Sequence, residues 1–261
     1  MKYFIVSDVH SYYRILREAL KEKGFDENNP DHTLVVLGDL LDRGPSPVEC
    51  LDFVNSLPRK ILIRGNHEDL LENCLTRGEC REHDYRNGTA NTILDLADAY
   101  HQNYGSINTN ADIFNYAKKN KSWLQYKKSL VDYAEVGDHI FVHGWIPCIS
   151  SDENIYHTRG VSFTFDENWR QGNWYAARWM NGMDAWQQGI KIEGKTIYCG
   201  HWHTSWGHHY IDKASEEWPN KYSTNPEHRV ADFSPFIHEG IVAIDACTAV
   251  SHTINCFVLE V

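Results

Sequence analysis

The sequence has few of the features that mark a secreted, membrane-bound or nucleic-acid-binding chain. Its seven cysteines, Cys50, Cys74, Cys80, Cys148, Cys199, Cys247 and Cys256, are odd in number and include no Cys-x-x-Cys pair. That excludes a disulfide framework and suits a reducing compartment. The opening MKYFIVSDVH holds only the short apolar run Tyr3 to Val6, too brief for the core of a signal peptide, and no later run approaches the ~20 apolar residues that span a bilayer. A cytoplasmic protein with no membrane partner is expected. Excess positive charge is also missing: 25 Lys and Arg against 36 Asp and Glu give a formal net charge of −11. No nucleic-acid groove is expected from that balance. A small anionic substrate stays allowed, because bound divalent cations reverse the local sign wherever carboxylates cluster.

There is no internal repeat and no low-complexity tract, and a hydrophobic fraction of 42% is enough to bury a core. Three β-branched or apolar runs, Tyr3 to Val6, Thr33 to Leu37 and Lys60 to Ile63, each end at a polar cluster: SDVH, GDLLDRG and RGNHED. Helical spacing over Tyr13 to Glu22 and Ser46 to Asn55 separates them, with Pro45 and Pro47 where the second helix begins. A β-α-β-α-β order implies parallel strands with right-handed crossovers, whose polar sites gather beyond the strands' carboxyl ends. Helix-like stretches at Asn91 to Tyr100 and Asp112 to Lys121 fall in a polar and aromatic segment, 69–135, read as a helical insertion. Strand patterns return at His139 to Val142, Thr196 to Cys199, Gly240 to Ile244 and Ile254 to Glu260. Residues 205–235, which contain Pro219, Pro226 and Pro235, read as a long surface loop over the site. The expected fold is α/β: one domain over 1–261, a two-layer β-sandwich flanked by helices.

The polar clusters hold the chemistry: Asp8 and His10; Asp39 with Asp42 and Arg43; Asn66 and His67; His143; and His201 with His203. Carboxylate, imidazole and amide oxygen together suit Mn, Fe or Zn rather than a thiolate site. Two such ions sharing one bridging carboxylate polarise a phosphoryl oxygen and activate a water. A lone Asp or His in a loop is usually a cap or a solvated side chain. GDLLDRG followed by GNHE, each after an apolar strand, is much harder to obtain by accident.

The set SDVH, GDLLDRG, GNHE, VHG and GHWH resembles the calcineurin-like metallophosphoesterase superfamily. Within it, the chain is most similar to bacterial and phage phosphoprotein phosphatases and the related symmetrical diadenosine tetraphosphate hydrolases. The resemblance implies that Asp8 and His10 hold one metal, that Asp39 bridges, and that Asn66, His143 and His201 hold the other. It makes Arg43, with Asn66, a phosphate-binding group, and a guanidinium fork suits bidentate capture of phosphate oxygens. It sets His67 against the leaving oxygen, oriented by Asp42, as the proton donor. His203 is implied as a further ligand, with a substrate contact or a supporting role as the alternative. A second phosphate-binding arginine is expected at Arg178 in preference to Arg159. Ser11, after His10, stands where the family has glycine, and Trp145 follows His143-Gly144 where a small residue is common.

Some motifs mislead. Gly189 to Thr196 spells GIKIEGKT and fits the P-loop formula, but Thr196 begins a β-like run where a P-loop needs a helix, and Glu193 would repel phosphate. Asn87-Gly88-Thr89 fits the glycosylation formula and reads as a turn. Cys74, Cys80 and His83 lack the spacing and the fourth ligand of a zinc site. His208 and His209 read as solvated loop residues. Of nine tryptophans, Trp145, Trp202 and Trp206 adjoin ligands and are placed to wall a cleft.

The first expectation is therefore a manganese-type, dimetal phosphatase acting on phosphomonoesters, either phosphorylated protein or small phosphate esters, and most similar to a serine/threonine protein phosphatase. The alternative is a dinucleoside polyphosphate hydrolase. A nuclease or cyclic-nucleotide phosphodiesterase is disfavoured by the acidic chain and by Arg43. A non-catalytic, metal-stabilised binding module would leave Arg43 and His67 without purpose.

Overall fold

The computed structural model describes residues 1–104, 107–151, 161–215 and 231–261. The strands and helices β1 (Lys2–Val6), α1 (Tyr13–Glu22), β2 (His32–Val36), α2 (Pro47–Ser56) and β3 (Lys60–Ile63) alternate as expected. Five helices follow: α3 (Asn66–Arg77), α4 (Glu82–Arg86), α5 (Thr89–Tyr104), α6 (Asn110–Lys119) and α7 (Lys121–Ser129). After them come β4 (Leu130–Val131), β5 (Ala134–Val136), β6 (His139–Phe141), β7 (Cys148–Ser150) and β8 (Phe163–Phe165). The chain continues through α8 (Trp174–Ala177), α9 (Gly182–Gln187), β9 (Thr196–Cys199), α10 (Ser205–Tyr210), β10 (Phe236–His238), β11 (Ile241–Ala243), α11 (Thr248–Ser251) and β12 (Phe257–Glu260).

Ten strands form two five-stranded sheets, in the orders β12-β1-β2-β3-β4 and β10-β11-β9-β6-β5. β1, β2, β3 and β4 run parallel, as do β6, β9 and β11, while β12, β10 and β5 close the edges antiparallel. Side-chain alternation along the strands divides the core. Ile5, Val35, Leu37 and Ile63 from the first sheet meet Phe141, Tyr198, Val242 and Ile244 from the second. The intervening positions Phe4, Val6, Leu34 and Val36 face outward and pack under α1, α2 and the helices of the α3–α7 segment. On the second sheet, Ile140, Val142, Ile197 and Ala243 pack with Trp145, Trp169 and Trp174. Most tryptophans are thus core residues, and Trp145 belongs to that core, its indole donating to the Ile190 carbonyl at 3.2 Å.

Local signals set the ends. Pro47 opens α2, where its missing N–H costs nothing, and Gly78 closes α3 in the left-handed region at φ 75°. The last strand starts at Phe257 rather than Ile254. Asn255 spends its side-chain amide on the carbonyls of Phe233 and Ile244, which holds that stretch off the ladder. The segment expected as a loop from residue 205 begins instead with helix α10; of that segment, 216–230, with Pro219 and Pro226, lie outside the described residues. No helix among the described residues is long and apolar enough to cross a membrane.

Candidate dimetal site

The carboxyl ends of parallel strands from both sheets converge on one place. Asp8 and His10 follow β1, Asp39 to Arg43 follow β2, Asn66 and His67 open α3 after β3, His143 follows β6, and His201 follows β9. The turns that carry them are strained: Asp8, His10, Ser11, Asp39, Asp42, Arg43 and His201 all have φ between 50° and 71°. Left-handed backbone at non-glycine residues gathers where function requires a fixed side-chain direction. Two glycines make room: a Cβ at Gly38 would lie 2.6 Å from His143 Nδ1, and one at Gly65 would overlap the Asp39 carboxylate.

The donor atoms form two groups that share one carboxylate. His10, Asp39 and His67 bring ligand atoms within 4.8 Å of one another, and so do Asp39, His143 and His201. Asp8 belongs with the first group, its carboxylate 3.9 Å from His10 Nε2. Asn66 belongs with the second, its Oδ1 2.8 Å from His143 Nε2. Asp39 lies between, with Oδ1 3.3 Å from His143 and Oδ2 3.9 Å from His10.

The second ring nitrogens test the fit to metal. His10 Nδ1 donates to the Leu41 carbonyl at 3.0 Å, His143 Nδ1 to the Leu37 carbonyl at 2.6 Å, and His201 Nε2 to the Trp179 carbonyl at 3.1 Å. A carbonyl only accepts, so His10 Nε2 and His201 Nδ1 stay free as lone pairs aimed into the site, while His143 Nε2 faces the acceptors Asn66 Oδ1 and Asp39 Oδ1 and holds a proton that a bound ion would displace. Metal-binding histidines are oriented in this way. Burial, with the neighbouring cations, lowers the pKa of His10 and takes His201 down to about 3, so both stay neutral. Burial also works against charge on His143, but Asp39 and Asp8 raise it to about 10. Burial and Asp39 raise Asp8 to about 6. Positive charge between Asp8, Asp39 and His143 is what this arrangement stabilises, and the residues fit two divalent ions.

A buried framework holds the turns. The Glu68 carboxylate accepts from the backbone amides of Asp39, Leu40 and Gly65 at 3.0, 3.0 and 2.8 Å, and from the Tyr126 hydroxyl at 3.2 Å. Asp8 accepts from the His201 amide at 2.9 Å, which ties the two sheets together. His67 Nδ1 lies 2.8 Å from Asp42, and its Nε2 lies 3.2 Å from the Arg43 guanidinium. A carboxylate only accepts and a guanidinium only donates, so the ring carries its proton on Nδ1 and accepts at Nε2.

An open cleft of about 400 Å³ lies over these groups, lined by Arg43, Trp179, His201, Trp202, His203, Asp245 and Cys247. The expected residues His203, Arg178 and Arg159 stand apart from the two donor groups or outside the described residues. His203 joins neither ligand group; it opens the turn into α10, with Nδ1 2.7 Å from the Ser205 hydroxyl, and lines the wall. Arg178 is buried and clamped by Asp69 and Asp132, both at 2.7 Å, so its fork is committed to carboxylates rather than turned to the cleft. Arg159 lies outside the described residues. Among the expected tryptophans Trp202 walls the cleft and Trp206 is buried beside it, while Trp179 is a wall residue that the sequence did not flag. Asp245 was also missed: burial and Asp8 raise its pKa well above the usual range.

The misleading motifs resolve by context. Gly189 and Gly194 are turns, and Lys195 pairs with Asp138 at 2.9 Å before Thr196 enters β9. The Cys74 and Cys80 sulfurs lie 3.4 Å apart, while His83 pairs with Asp84, and no metal grouping among the described residues includes them. His208 and His238 both pair with Asp212.

The model of the calcineurin-like phosphoesterase family matches residues 1–224. The chain belongs to this family. Among curated relatives it is similar to a symmetrical bis(5'-nucleosyl)-tetraphosphatase of Coxiella burnetii, 36% identical over 160 residues, 61% of this chain and 47% of the relative. The enzyme of the same name from Proteus mirabilis is 44% identical over 69 residues, 26% of this chain and 24% of the relative. These alignments span about half or less of the relatives' length. Among solved structures, a cold-active protein tyrosine phosphatase from a psychrophilic Shewanella species aligns over 99% of this chain and 75% of its own, with TM-score 0.50 and 16% identity. A mutant of a cold-active protein tyrosine phosphatase gives the same coverages, with TM-score 0.52 and 17% identity. Both are likenesses of fold.

Proposed function

We propose that this phosphoesterase hydrolyses dinucleoside polyphosphates. The observation that carries the reading is that Arg43 lines two depressions at once. One is the cleft walled by Trp179 and Trp202; the other is lined by Arg43, Gly44, Pro45, Asn91, Leu94 and Asp95. A phosphate chain held at Arg43 extends both ways, with a nucleoside at each end and an indole to stack on one base. The likeness to relatives named tetraphosphatases supports this reading over phosphomonoester hydrolysis, including that of phosphoproteins, which is kept as the second reading.

Bound divalent ions at the two donor groups would polarise the phosphoryl oxygen and supply a water acidic enough to attack at neutral pH. Asp8 and His10 would hold one, Asn66, His143 and His201 the other, with Asp39 between. Arg43 leaves His67 Nε2 and turns its fork onto the phosphate oxygens. His67 Nε2 is then free to carry a proton to the leaving oxygen, while Asp42 stabilises the charged ring. The amide oxygen of Asn66 adds a ligand without adding charge that would repel phosphate.

The test is turnover of diadenosine tetraphosphate beside p-nitrophenyl phosphate by manganese-loaded protein. Higher kcat/KM on the dinucleotide, with nucleoside diphosphate as the product, supports the proposal. Turnover of the monoester alone moves the function to the second reading.

A further inference from the structure

Asp42 is fully buried, and its oxygens receive two hydroxyl groups from outside the motif it belongs to. Thr89 Oγ1 donates to Asp42 Oδ2 at 2.6 Å, and Thr92 Oγ1 donates to Asp42 Oδ1 at 2.7 Å. Both threonines are buried, at 0% and 2% exposure, on the first turn of α5. The same Oδ2 accepts the Nδ1 proton of His67 at 2.8 Å. One bond on each oxygen fixes the plane of the carboxylate, and the remaining direction on Oδ2 fixes the tilt of the imidazole. The close approach is built in: Gly88, at φ 82°, packs against the Arg43 backbone amide where a Cβ would overlap it.

We infer that Thr89 and Thr92 are positioning residues, which act through Asp42 to aim His67 Nε2 at the leaving oxygen. The inference rests on the reading of His67 as proton donor. Without the hydroxyls, Asp42 keeps one neighbour on one oxygen and rotates, and proton delivery loses its geometry while attack by water does not. Good leaving groups need little protonation, so the cost falls on poor ones.

The experiment compares phenyl phosphate with p-nitrophenyl phosphate on manganese-loaded wild type, T89V/T92V, T89S/T92S and H67A. The valine pair keeps shape and removes both hydroxyls; the serine pair keeps the hydroxyls and removes the methyls. The expected result is a kcat loss for the valine pair at least tenfold greater on phenyl phosphate than on p-nitrophenyl phosphate, with the serine pair near wild type. Equal loss on both esters, or loss in the serine pair but not the valine pair, would make the threonines packing residues and overturn the inference. If H67A itself slows both esters equally, the proton-donor reading fails and this inference with it. If H67A discriminates and the valine pair does not, the inference fails alone. A measurement independent of turnover is the downfield imidazole N–H resonance of His67, assigned by its absence in H67A. It is expected to persist in the serine pair and to vanish in the valine pair, and its persistence in the valine pair overturns the inference. Should the valine pair not fold, T92V alone is read in the same way, with a smaller discrimination expected and its absence contradicting the role.

Discussion

Arg43 donates to His67 Nε2 across 3.2 Å, so the proposed phosphate-binding group and the proposed proton donor occupy one another in this structure. The arrangement depends on a planar fork that turns from a ring nitrogen to phosphate oxygens. Arg43→Lys is expected to lower kcat/KM by ~10–100-fold, the worth of one or two charge-assisted hydrogen bonds, with metal content unchanged. An R43K enzyme within threefold of wild type would show that charge alone suffices.

Ser11 stands at φ 60° with its hydroxyl buried and without a hydrogen-bond partner among the described residues. Left-handed backbone costs a non-glycine residue ~1–2 kcal/mol, and the unsatisfied hydroxyl adds to it. Glycine gives back ~0.5–1 kcal/mol through its looser unfolded chain. Ser11→Gly is expected to stabilise the protein by about 1 kcal/mol, a rise in Tm of about 2–4 °C. A fall in Tm by calorimetry would show that the serine is held by something more than its backbone.

Much of this was legible in the sequence. The strands β1, β3 and β9 and helix α1 lie where periodicity placed them, because each apolar run ends abruptly at a polar cluster. The polar clusters were readable because strand, turn and cluster are contiguous in the chain. What escaped notice depends on distant pairing. Thr89 reads as part of a turn until α5 lays it against Asp42, 47 residues earlier. Trp179 and Asp245 carry no motif and reach the cleft only through the packing of the second sheet. Arg178 follows an aromatic run that looks like the family's arginine position, yet Asp69 and Asp132 claim it.

Trp202 lines the cleft beside Trp179, where a base would stack. Stacking on an aromatic side chain is worth ~1–3 kcal/mol per base. Trp202→Ala is expected to raise KM for diadenosine tetraphosphate about tenfold or more while changing p-nitrophenyl phosphate little. An equal effect on both substrates in steady-state kinetics would assign Trp202 to the wall's structure rather than to the base.

Cys247 also lines the cleft, but burial and then Asp245 raise its thiol to about 12. A raised thiol pKa keeps the protonated form through neutral pH, and the reactive thiolate grows only as pH climbs toward that value. Iodoacetamide at pH 7 is expected to leave Cys247 unlabelled by peptide mass mapping, with labelling that increases steadily to the highest pH at which the fold survives. Rapid labelling at pH 7 would contradict the buried, uncharged thiol.

Asp39 is proposed to join two metal groups into one hydrolytic site. The most direct measurement is metal stoichiometry and turnover together: strip the protein, return manganese in steps, and follow p-nitrophenyl phosphate and diadenosine tetraphosphate for wild type and Asp39→Asn. Wild-type activity is expected to rise to a plateau at two equivalents, and the asparagine variant to lose tight metal binding and turnover together. Full activity in Asp39→Asn, or a wild type that binds two ions and hydrolyses neither substrate, would contradict it.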